Sequence, residues 1–243
     1  ELYDEPYDKL VIATGSTPLI PPIPGADSPR VRTLWTLPDT DAIKALIQNN
    51  ARRAVVVGGG FVGLEAAENL HRAGLEVSIV ELGNQVMPPL DFEMAQLLHE
   101  HIAERGVGLY LGDGVVEFSD RQELVEVRLA SGRSIEADFV VLSVGVRPNS
   151  ALARAAGLEL GGRGGIVVNE KMQTSDPDIY AVGDVAEVRD FVFGEPAMLP
   201  LAGPANKQGR VAANNIAGID DSYRATQGSS VAKVFDLTAA STG

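Results

Sequence analysis

A glycine-rich turn between two short apolar runs, at residues 55–81, is the feature that most limits how this chain can fold. The segment reads VVVGGGFVGLEAAENLHRAGLEVSIVE, so Gly58, Gly60 and Gly63 stand between a strand-like run and a helix-like run. Glu81 ends the second apolar run, 18 positions after Gly63 because 81 − 63 = 18. This order and spacing predict a βαβ unit that binds a dinucleotide.

Each part of this pattern has a physical role in such a site. Gly58 permits the tight turn, Gly60 lets the backbone approach a pyrophosphate, and Gly63 lets the helix pack closely on the strand. The first amides of the helix offer N–H groups and a positive dipole end to phosphates. Glu81 can accept hydrogen bonds from a ribose diol. A purely structural turn is the alternative, and a methyltransferase is disfavoured because residues 55–57 contain no acidic residue.

Composition and charge narrow the class of protein further. The chain has 243 residues, enough for one large or two smaller domains. Its formal net charge of −13 argues against nucleic acid or an anionic membrane as the main partner. No apolar run reaches the ~18 residues of a membrane helix and nothing resembles a signal peptide, so we expect a cytoplasmic protein. The sequence contains no cysteine, which excludes a disulfide framework or a thiolate nucleophile within it.

Apolar periodicity and turn residues predict the remaining elements. We expect helices with one apolar face over residues 38–48, 91–105 and 204–218. Asp39 and Asp91 are the predicted N-caps of the first two. Strands are expected over residues 115–118, 124–129 and 135–143, with a hairpin turn at Ser131 and Gly132. Residues 125–129 alternate as an antiparallel strand with one wet face should, whereas residues 139–143 indicate a strand covered on both faces. A final strand is expected at residues 231–237, and the isolated histidines predict no metal site.

Six segments in a fixed order resemble those of the flavin-dependent pyridine nucleotide-disulphide oxidoreductases. They are LVIATGSTP (10–18), VVVGGGFVGLE (55–65), VLSVGVRPN (141–149), TSDPDIYAVGDVAEV (174–188), LPLAGPANKQGR (199–210) and VAKVFDLTAASTG (231–243). The last two look most like the branch that holds coenzyme A-disulfide reductases, NADH oxidases, NADH peroxidases and persulfide reductases.

The resemblance implies an α/β fold in which a Rossmann-like NAD-binding domain is inserted into a partial FAD-binding domain. The inserted domain would combine a parallel sheet with an antiparallel meander. The implied segments are residues 1–39 for the end of the first FAD-domain segment, 40–149 for the NAD(H)-binding domain, 150–222 for the second FAD-domain segment, and 223–243 for the start of a truncated dimerisation domain.

The resemblance also implies two sets of cofactor-binding residues. The NAD(H) set comprises the glycine turn, the start of its helix, the ribose acid and a later glycine: Gly58, Gly60, Phe61, Val62, Gly63, Glu65, Glu81 and Gly145. The FAD set lies at two strand ends and one helix start: Thr14, Gly15, Gly183, Asp184, Leu201, Ala202 and Gly203. In relatives, an aromatic residue at the position of Phe61 covers the flavin until the nicotinamide displaces it. Glu65 is expected near the nicotinamide, and Asp184 on the flavin ribitol.

The implied activity of the parent protein is transfer of a hydride from NADH to FAD, and then of electrons to a disulfide, persulfide, peroxide or oxygen. No catalytic residue is expected in this chain, because the redox cysteine and the glycine motif for the ADP half of FAD would precede residue 1. We therefore expect a homodimeric parent and an inactive, monomeric fragment that binds NAD(H) without retaining FAD. The alternatives are an NAD(H) sensor without turnover and a ferredoxin-reductase-like electron-transfer flavoprotein.

Overall fold

The computed structural model describes residues 4–242, which form two compact units. One unit comprises residues 4–17, 146–229 and 242, and the other comprises residues 18–145 and 230–241. The strands, in chain order, are β1 (Leu10–Ile12), β2 (Ser16–Pro18), β3 (Val31–Thr33), β4 (Arg53–Val57), β5 (Glu76–Glu81), β6 (Gly108–Leu111), β7 (Val115–Arg121), β8 (Leu124–Leu129), β9 (Ser134–Ala137), β10 (Phe139–Leu142), β11 (Val146–Pro148), β12 (Ile166–Val167), β13 (Ile179–Ala181), β14 (Ala186–Arg189), β15 (Pro196–Ala197), β16 (Ser230–Val234) and β17 (Leu237–Ser241). The helices are α1 (Leu37–Gln48), α2 (Phe61–Arg72), α3 (Phe92–Glu104), α4 (Ala151–Ala155) and α5 (Ala202–Ile216).

The unit of residues 18–145 and 230–241 is built on a parallel sheet of strand order β3-β10-β4-β5-β6. Val57 of β4 pairs with Leu142 of β10 on one side and with Val80 of β5 on the other. The carboxyl ends of the three strands therefore lie within one residue of one another. Because parallel strands share one carboxyl edge, the residues that follow them, including Gly58 and Ser143, meet at that edge.

Strand β4 shows why the central strands are apolar throughout. Ala54 and Val56 belong to a core cluster with Leu64 of α2 and other helix residues. Val55 and Val57 belong to a second cluster on the opposite side of the sheet. Successive side chains of a strand point to opposite faces, so a strand buried on both faces needs an unbroken apolar run.

The antiparallel meander of β7, β8 and β9 is present and contributes to the second core cluster. The segment predicted as one strand at residues 135–143 is instead two strands, β9 in the meander and β10 in the parallel sheet. Phe118, Val125, Val127 and Leu129 point inward and are almost fully buried. The turn between β8 and β9 includes Gly132, whose φ of 86° lies in the left-handed region. The alternating pattern at residues 124–129 is thus the signature of a strand with one buried face.

The segment predicted as one strand at residues 231–237 is instead a hairpin of β16 and β17, and this prediction was wrong. Phe235 in its turn has a φ of 52° and is buried. The buried carboxylate of Glu68 on α2 accepts a hydrogen bond from the Phe235 N–H at 2.8 Å. Arg72, one turn further along α2, pairs with the same carboxylate at 2.6 Å. Apolar β-branched residues signalled extended backbone, but the turn is fixed by a contact that is remote in sequence.

The other unit has its own core, formed by strands β1, β13 and β14 with helices α4 and α5. β1 and β13 pair in parallel, and β12, β14 and β15 form a three-stranded sheet. A short 3₁₀ turn, Gly183–Val185, connects β13 to β14. Across residues 4–242, no helix combines the length and the apolar character that crossing a membrane would require.

Helix α1 begins one residue before its predicted start, and its N-cap is Thr36 rather than Asp39. The two residues form a capping box, in which the Thr36 N–H donates to Asp39 Oδ2 at 2.8 Å and the Asp39 N–H donates to Thr36 Oγ1 at 3.4 Å. The backbone hydrogen bond from Thr36 is the main reason that the pKa of Asp39 lies below its ordinary value of 3.8. The acid therefore acts in the third helical position and satisfies the N-cap amide.

We expect Asp39→Ala to lower the free energy of unfolding by about 1 kcal/mol at pH 7, as measured by urea denaturation. Since the pKa is depressed in the folded chain, this contribution is present above pH 3.8 and is lost as the pH falls below it. Asp41→Ala is the control, because Asp41 lies in the same turn. This variant should lose only the interaction of the carboxylate with the helix dipole, about 0.3 kcal/mol. Equal losses for the two variants would show that the capping box does not stabilise the helix.

Candidate functional site

The turn between β4 and α2 has a backbone that only glycine fits at two of its three motif positions. Gly58 has a φ of 111°, and a Cβ on it would overlap the carbonyl oxygen of Ser143. A Cβ on Gly63 would overlap the carbonyl oxygen of Gly58 and lie 2.8 Å from Ser143 Oγ. These positions bring helix α2 directly against the end of β4. The close helix-to-strand packing expected from the sequence is therefore present.

Gly60 differs from the other two because the space around it is open. It is the N-cap of α2, with φ of −79° and ψ of −170°, and a Cβ built on it meets no heavy atom within 4 Å. No side chain caps the helix within the described residues, and the first turn closes only with the Leu64 N–H donating to the Gly60 carbonyl at 3.0 Å. The amides of Phe61 and Val62 precede that bond and have no partner in the helix. A helix start of this kind can hold a phosphate.

Glu81 is fixed beside the glycine turn by two backbone amides. Its Oε2 accepts from the Gly59 N–H at 2.6 Å, and its Oε1 accepts from the Gly83 N–H at 2.7 Å. The side chain is only partly buried. Each carboxylate oxygen has a further lone pair, so the group can still accept from two vicinal hydroxyls. Glu81 is thus oriented beside the glycine turn, and its role as the ribose acid stays a prediction.

The remaining residues of the predicted NAD(H) set lie in the same unit. Phe61 is half-buried and packs against the core cluster under α2, so part of its ring is already held by protein. Glu65 and Val62 are exposed on α2. Gly145 has a φ of 110°, and its carbonyl accepts from the Leu19 N–H at 2.9 Å. The gating role of Phe61 and the groove position of Gly145 stay predictions.

The predicted FAD set lies in the other unit, where Asp184 is held by a buried serine. Ser16 is 4 % exposed, and its hydroxyl donates to Asp184 Oδ2 at 2.7 Å. Gly183 has a φ of 78°, and its N–H donates to Oε1 of Gln208 at 2.7 Å. Among residues 4–242, no group donates a hydrogen bond to Oδ1 of Asp184. Two buried side chains therefore fix the turn that carries the predicted ribitol ligand.

Thr14 and Gly15 are tied to the loop that follows β11. The Thr14 hydroxyl donates to the Asn149 carbonyl at 2.7 Å, and the Asn149 side-chain amide donates to the Thr14 carbonyl at 2.9 Å. The Asn149 N–H donates to the Gly15 carbonyl at 2.9 Å. Leu201 is the N-cap of α5, which begins at Ala202 and has no side-chain cap among the described residues. This helix start also presents unpaired amides.

The three histidines have structural surroundings. His99 Nε2 accepts from the Val86 N–H at 3.1 Å, and burial lowers the pKa of this imidazole. His71 and His101 place their rings edge-on to Phe235, at centroid distances of 5.5 Å and 6.2 Å. Residues 4–242 contain no group of three or more His, Cys, Asp or Glu side chains that could hold a metal ion.

Several supporting residues were not singled out from the sequence. Gly59 and Gly83 orient Glu81, Ser143 contacts the glycine turn, and Ser16 and Gln208 fix the turn at Asp184. Ser143 follows β10, and the structure alone shows that this strand lies beside β4. The contacts of Ser16 and Gln208 join segments more than 20 residues apart, which no local pattern reveals.

Comparisons with known proteins identify the family of this chain. The family model described as pyridine nucleotide-disulphide oxidoreductase matches residues 3–209. An NADH oxidase of Methanocaldococcus jannaschii is 41 % identical over 239 residues, which are 98 % of this chain and 53 % of that protein. The chain therefore spans about half the length of this curated relative.

Two solved structures are similar over nearly the whole chain. The crystal structure of reduced Bacillus anthracis CoADR-RHD is 52 % identical, with a TM-score of 0.96 over 100 % of this chain and 44 % of that one. The water-forming NADH oxidase from Lactobacillus brevis, bound to NADH, is 33 % identical, with a TM-score of 0.92 over 98 % of this chain and 53 % of that one. With a family model that covers most of its residues and a glycine turn of the expected form, the chain belongs to the pyridine nucleotide-disulphide oxidoreductase family.

Proposed function

We propose that this chain is the nucleotide-binding portion of an FAD-dependent NADH oxidoreductase. The observation that carries the proposal is the glycine turn, where Gly60 leaves open space in front of the unpaired amides of α2. Beside it, Glu81 presents a carboxylate that two backbone amides hold in place. A pyrophosphate and an adenosine ribose need these two features at this separation along a βαβ unit.

The residues present fit NAD(H) in chemistry as well as in spacing. Gly58, Gly60 and Gly63 would hold the pyrophosphate, Glu81 the ribose diol, and Glu65 and Gly145 would line the path toward the nicotinamide. When bound, the dinucleotide supplies a hydride, while the chain binds and orients it. We assign this binding to residues 40–149.

The second part of the proposal concerns FAD. Asp184, positioned by Ser16, would accept from the flavin ribitol, and Thr14, Gly15 and the start of α5 at residues 201–203 would lie along the same cofactor. We propose that the parent protein passes electrons from FAD to a small-molecule acceptor, namely a disulfide, persulfide, peroxide or oxygen. The NADH oxidase of Lactobacillus brevis supports NADH as the donor. A homodimeric, cytoplasmic parent is part of this proposal.

A fluorescence titration of the chain with NADH tests the proposed function. We expect saturable binding at one site per chain, and displacement of NADH by ADP-ribose, which carries the same pyrophosphate and adenosine. A titration that does not saturate, or NADH binding that ADP-ribose leaves unchanged, would contradict the proposal. Adenosine alone serves as a control that lacks the pyrophosphate and should compete only weakly.

A further inference from the structure

Ser143 contacts the glycine turn at several points, although the proposed function gives it no role. It follows β10 directly and is partly buried. Its N–H donates to the Val57 carbonyl oxygen at 2.8 Å. Its hydroxyl lies 3.0 Å from that oxygen and 3.3 Å from the Gly58 carbonyl oxygen, so one proton is shared between two acceptors. The end of β10 is thus bonded to the two residues at which β4 becomes the turn.

The peptide unit between Gly58 and Gly59 is held from both of its edges. Its carbonyl oxygen is the one that Ser143 Oγ contacts at 3.3 Å, and its N–H is the one that donates to Glu81 Oε2 at 2.6 Å. A peptide group is planar, so fixing both edges fixes its orientation. Ser143 and Glu81 therefore act on the same rigid plane, although they stand 62 positions apart because 143 − 81 = 62.

The Ser143 hydroxyl also occupies the space that the glycines leave. Its Oγ is 3.1 Å from where a Cβ on Gly58 would stand and 2.8 Å from where a Cβ on Gly63 would stand. The hydroxyl is therefore packed behind the turn, on the side that the missing side chains vacate. A smaller side chain would leave this space unfilled and free the Gly58 carbonyl to rotate.

We infer that Ser143 is a positioning residue of the dinucleotide site, an assignment that rests on the proposed function. Its hydroxyl orients the Gly58–Gly59 peptide group, and through the Gly59 N–H it orients the Glu81 carboxylate toward the adenosine ribose. It touches no ligand itself. Its effect reaches ligands that carry the pyrophosphate and the adenosine ribose, whether or not they carry a nicotinamide.

The test compares Ser143→Ala with wild type and with Ser119→Ala. Ser119 is a matched control, because its hydroxyl also donates its proton within the same unit, to Glu117 Oε1 at 2.9 Å in the meander. We expect Ser143→Ala to raise the dissociation constants of NADH and ADP-ribose by the same factor, about fivefold. This factor corresponds to the loss of one hydrogen bond. Ser119→Ala should leave both dissociation constants within about twofold of wild type.

Two further variants separate positioning from general stability. Ser143→Cys fills the same space with a somewhat larger atom but donates a much weaker hydrogen bond, so it should lose affinity as Ser143→Ala does. In the double variant Ser143→Ala/Glu81→Ala, the loss should be smaller than the product of the single losses, because both side chains hold one peptide group. Thermal unfolding of each variant confirms that it is folded under the conditions of the titration.

The outcomes distinguish this inference from the proposed function. If wild type does not bind NADH, the proposed function fails. If wild type binds NADH and Ser143→Ala binds it equally well, the inference is overturned. Wild-type affinity in Ser143→Cys, or fully multiplicative losses in the double variant, would also overturn it, because the hydroxyl would then not act through the shared peptide group.

Discussion

Gly60→Val should leave the chain folded while lowering its affinity for NADH by more than about 100-fold. The backbone at Gly60, with φ of −79° and ψ of −170°, is open to any residue, and its Cβ position has no heavy atom within 4 Å. A valine side chain would fill the space in front of the first amides of α2. A pyrophosphate would then lose at least two charge-assisted hydrogen bonds of ~1.5–3 kcal/mol each, which corresponds to more than about 100-fold.

The control for this variant is Gly162→Val in the other unit. Gly162 is exposed, its Cβ position is also free of neighbours, and its φ is not in the left-handed region. Both variants should keep the wild-type unfolding midpoint, while only Gly60→Val should lose affinity for NADH. If Gly60→Val binds NADH within about threefold of the wild-type affinity, the pyrophosphate does not bind at this turn. Gly58→Ala is less informative, because its overlap with the Ser143 carbonyl would disturb the fold as well.

The second large effect is a reversal of nucleotide preference in Glu81→Ala/Leu82→Arg. Wild type should prefer NADH to NADPH by about tenfold or more, because the Glu81 carboxylate accepts from ribose hydroxyls and repels a 2′-phosphate. No Arg or Lys occurs in residues 82–90 to compensate. Leu82 is 77 % exposed, so an arginine there would be free to pair with the phosphate.

Titrations of wild type and variant with both nucleotides measure this reversal. We expect the affinity of the double variant for NADH to fall about tenfold, and we expect this variant to bind NADPH more tightly than NADH. Glu76→Ala is the control, because Glu76 is an exposed acid at the opposite end of the same strand, β5. If wild type binds NADPH as tightly as NADH, Glu81 is not the ribose ligand. A variant that still prefers NADH would show that the preference is set elsewhere.

The glycine turn could be predicted from sequence because each of its requirements is local. Gly58 has a positive φ, and Gly63 lets helix α2 pack closely on the end of β4. Glu81 ends the next strand, so the spacing of these three residues is enough to predict the turn. The same is true of the meander, where alternation over residues 124–129 reports one buried face. Local constraints leave periodic or fixed spacings that can be recognised without the structure.

Features that depend on distant contacts could not be predicted. The hairpin turn at Phe235 is bonded to Glu68, which lies far from it in sequence, and the residues around the turn gave no separate turn signal. The pairing of Ser143 with Gly58 needs the register of β10 against β4, which sequence spacing does not define. Ser16 contacts Asp184 for a similar reason, through the parallel pairing of β1 with β13.

The most direct test of the central claim is an amide chemical-shift map of the chain with and without NADH. We predict that the largest shifts fall on the glycine turn and its acid, at residues 58–63 and 81–83. The amide of Gly59 should respond most, because it shares the Glu81 carboxylate that would receive the ribose. Amides of the hairpin at residues 230–241 should stay unchanged. Shifts confined to the unit of residues 146–229, or no shifts at saturating NADH, would contradict a dinucleotide site at the β4–α2 turn.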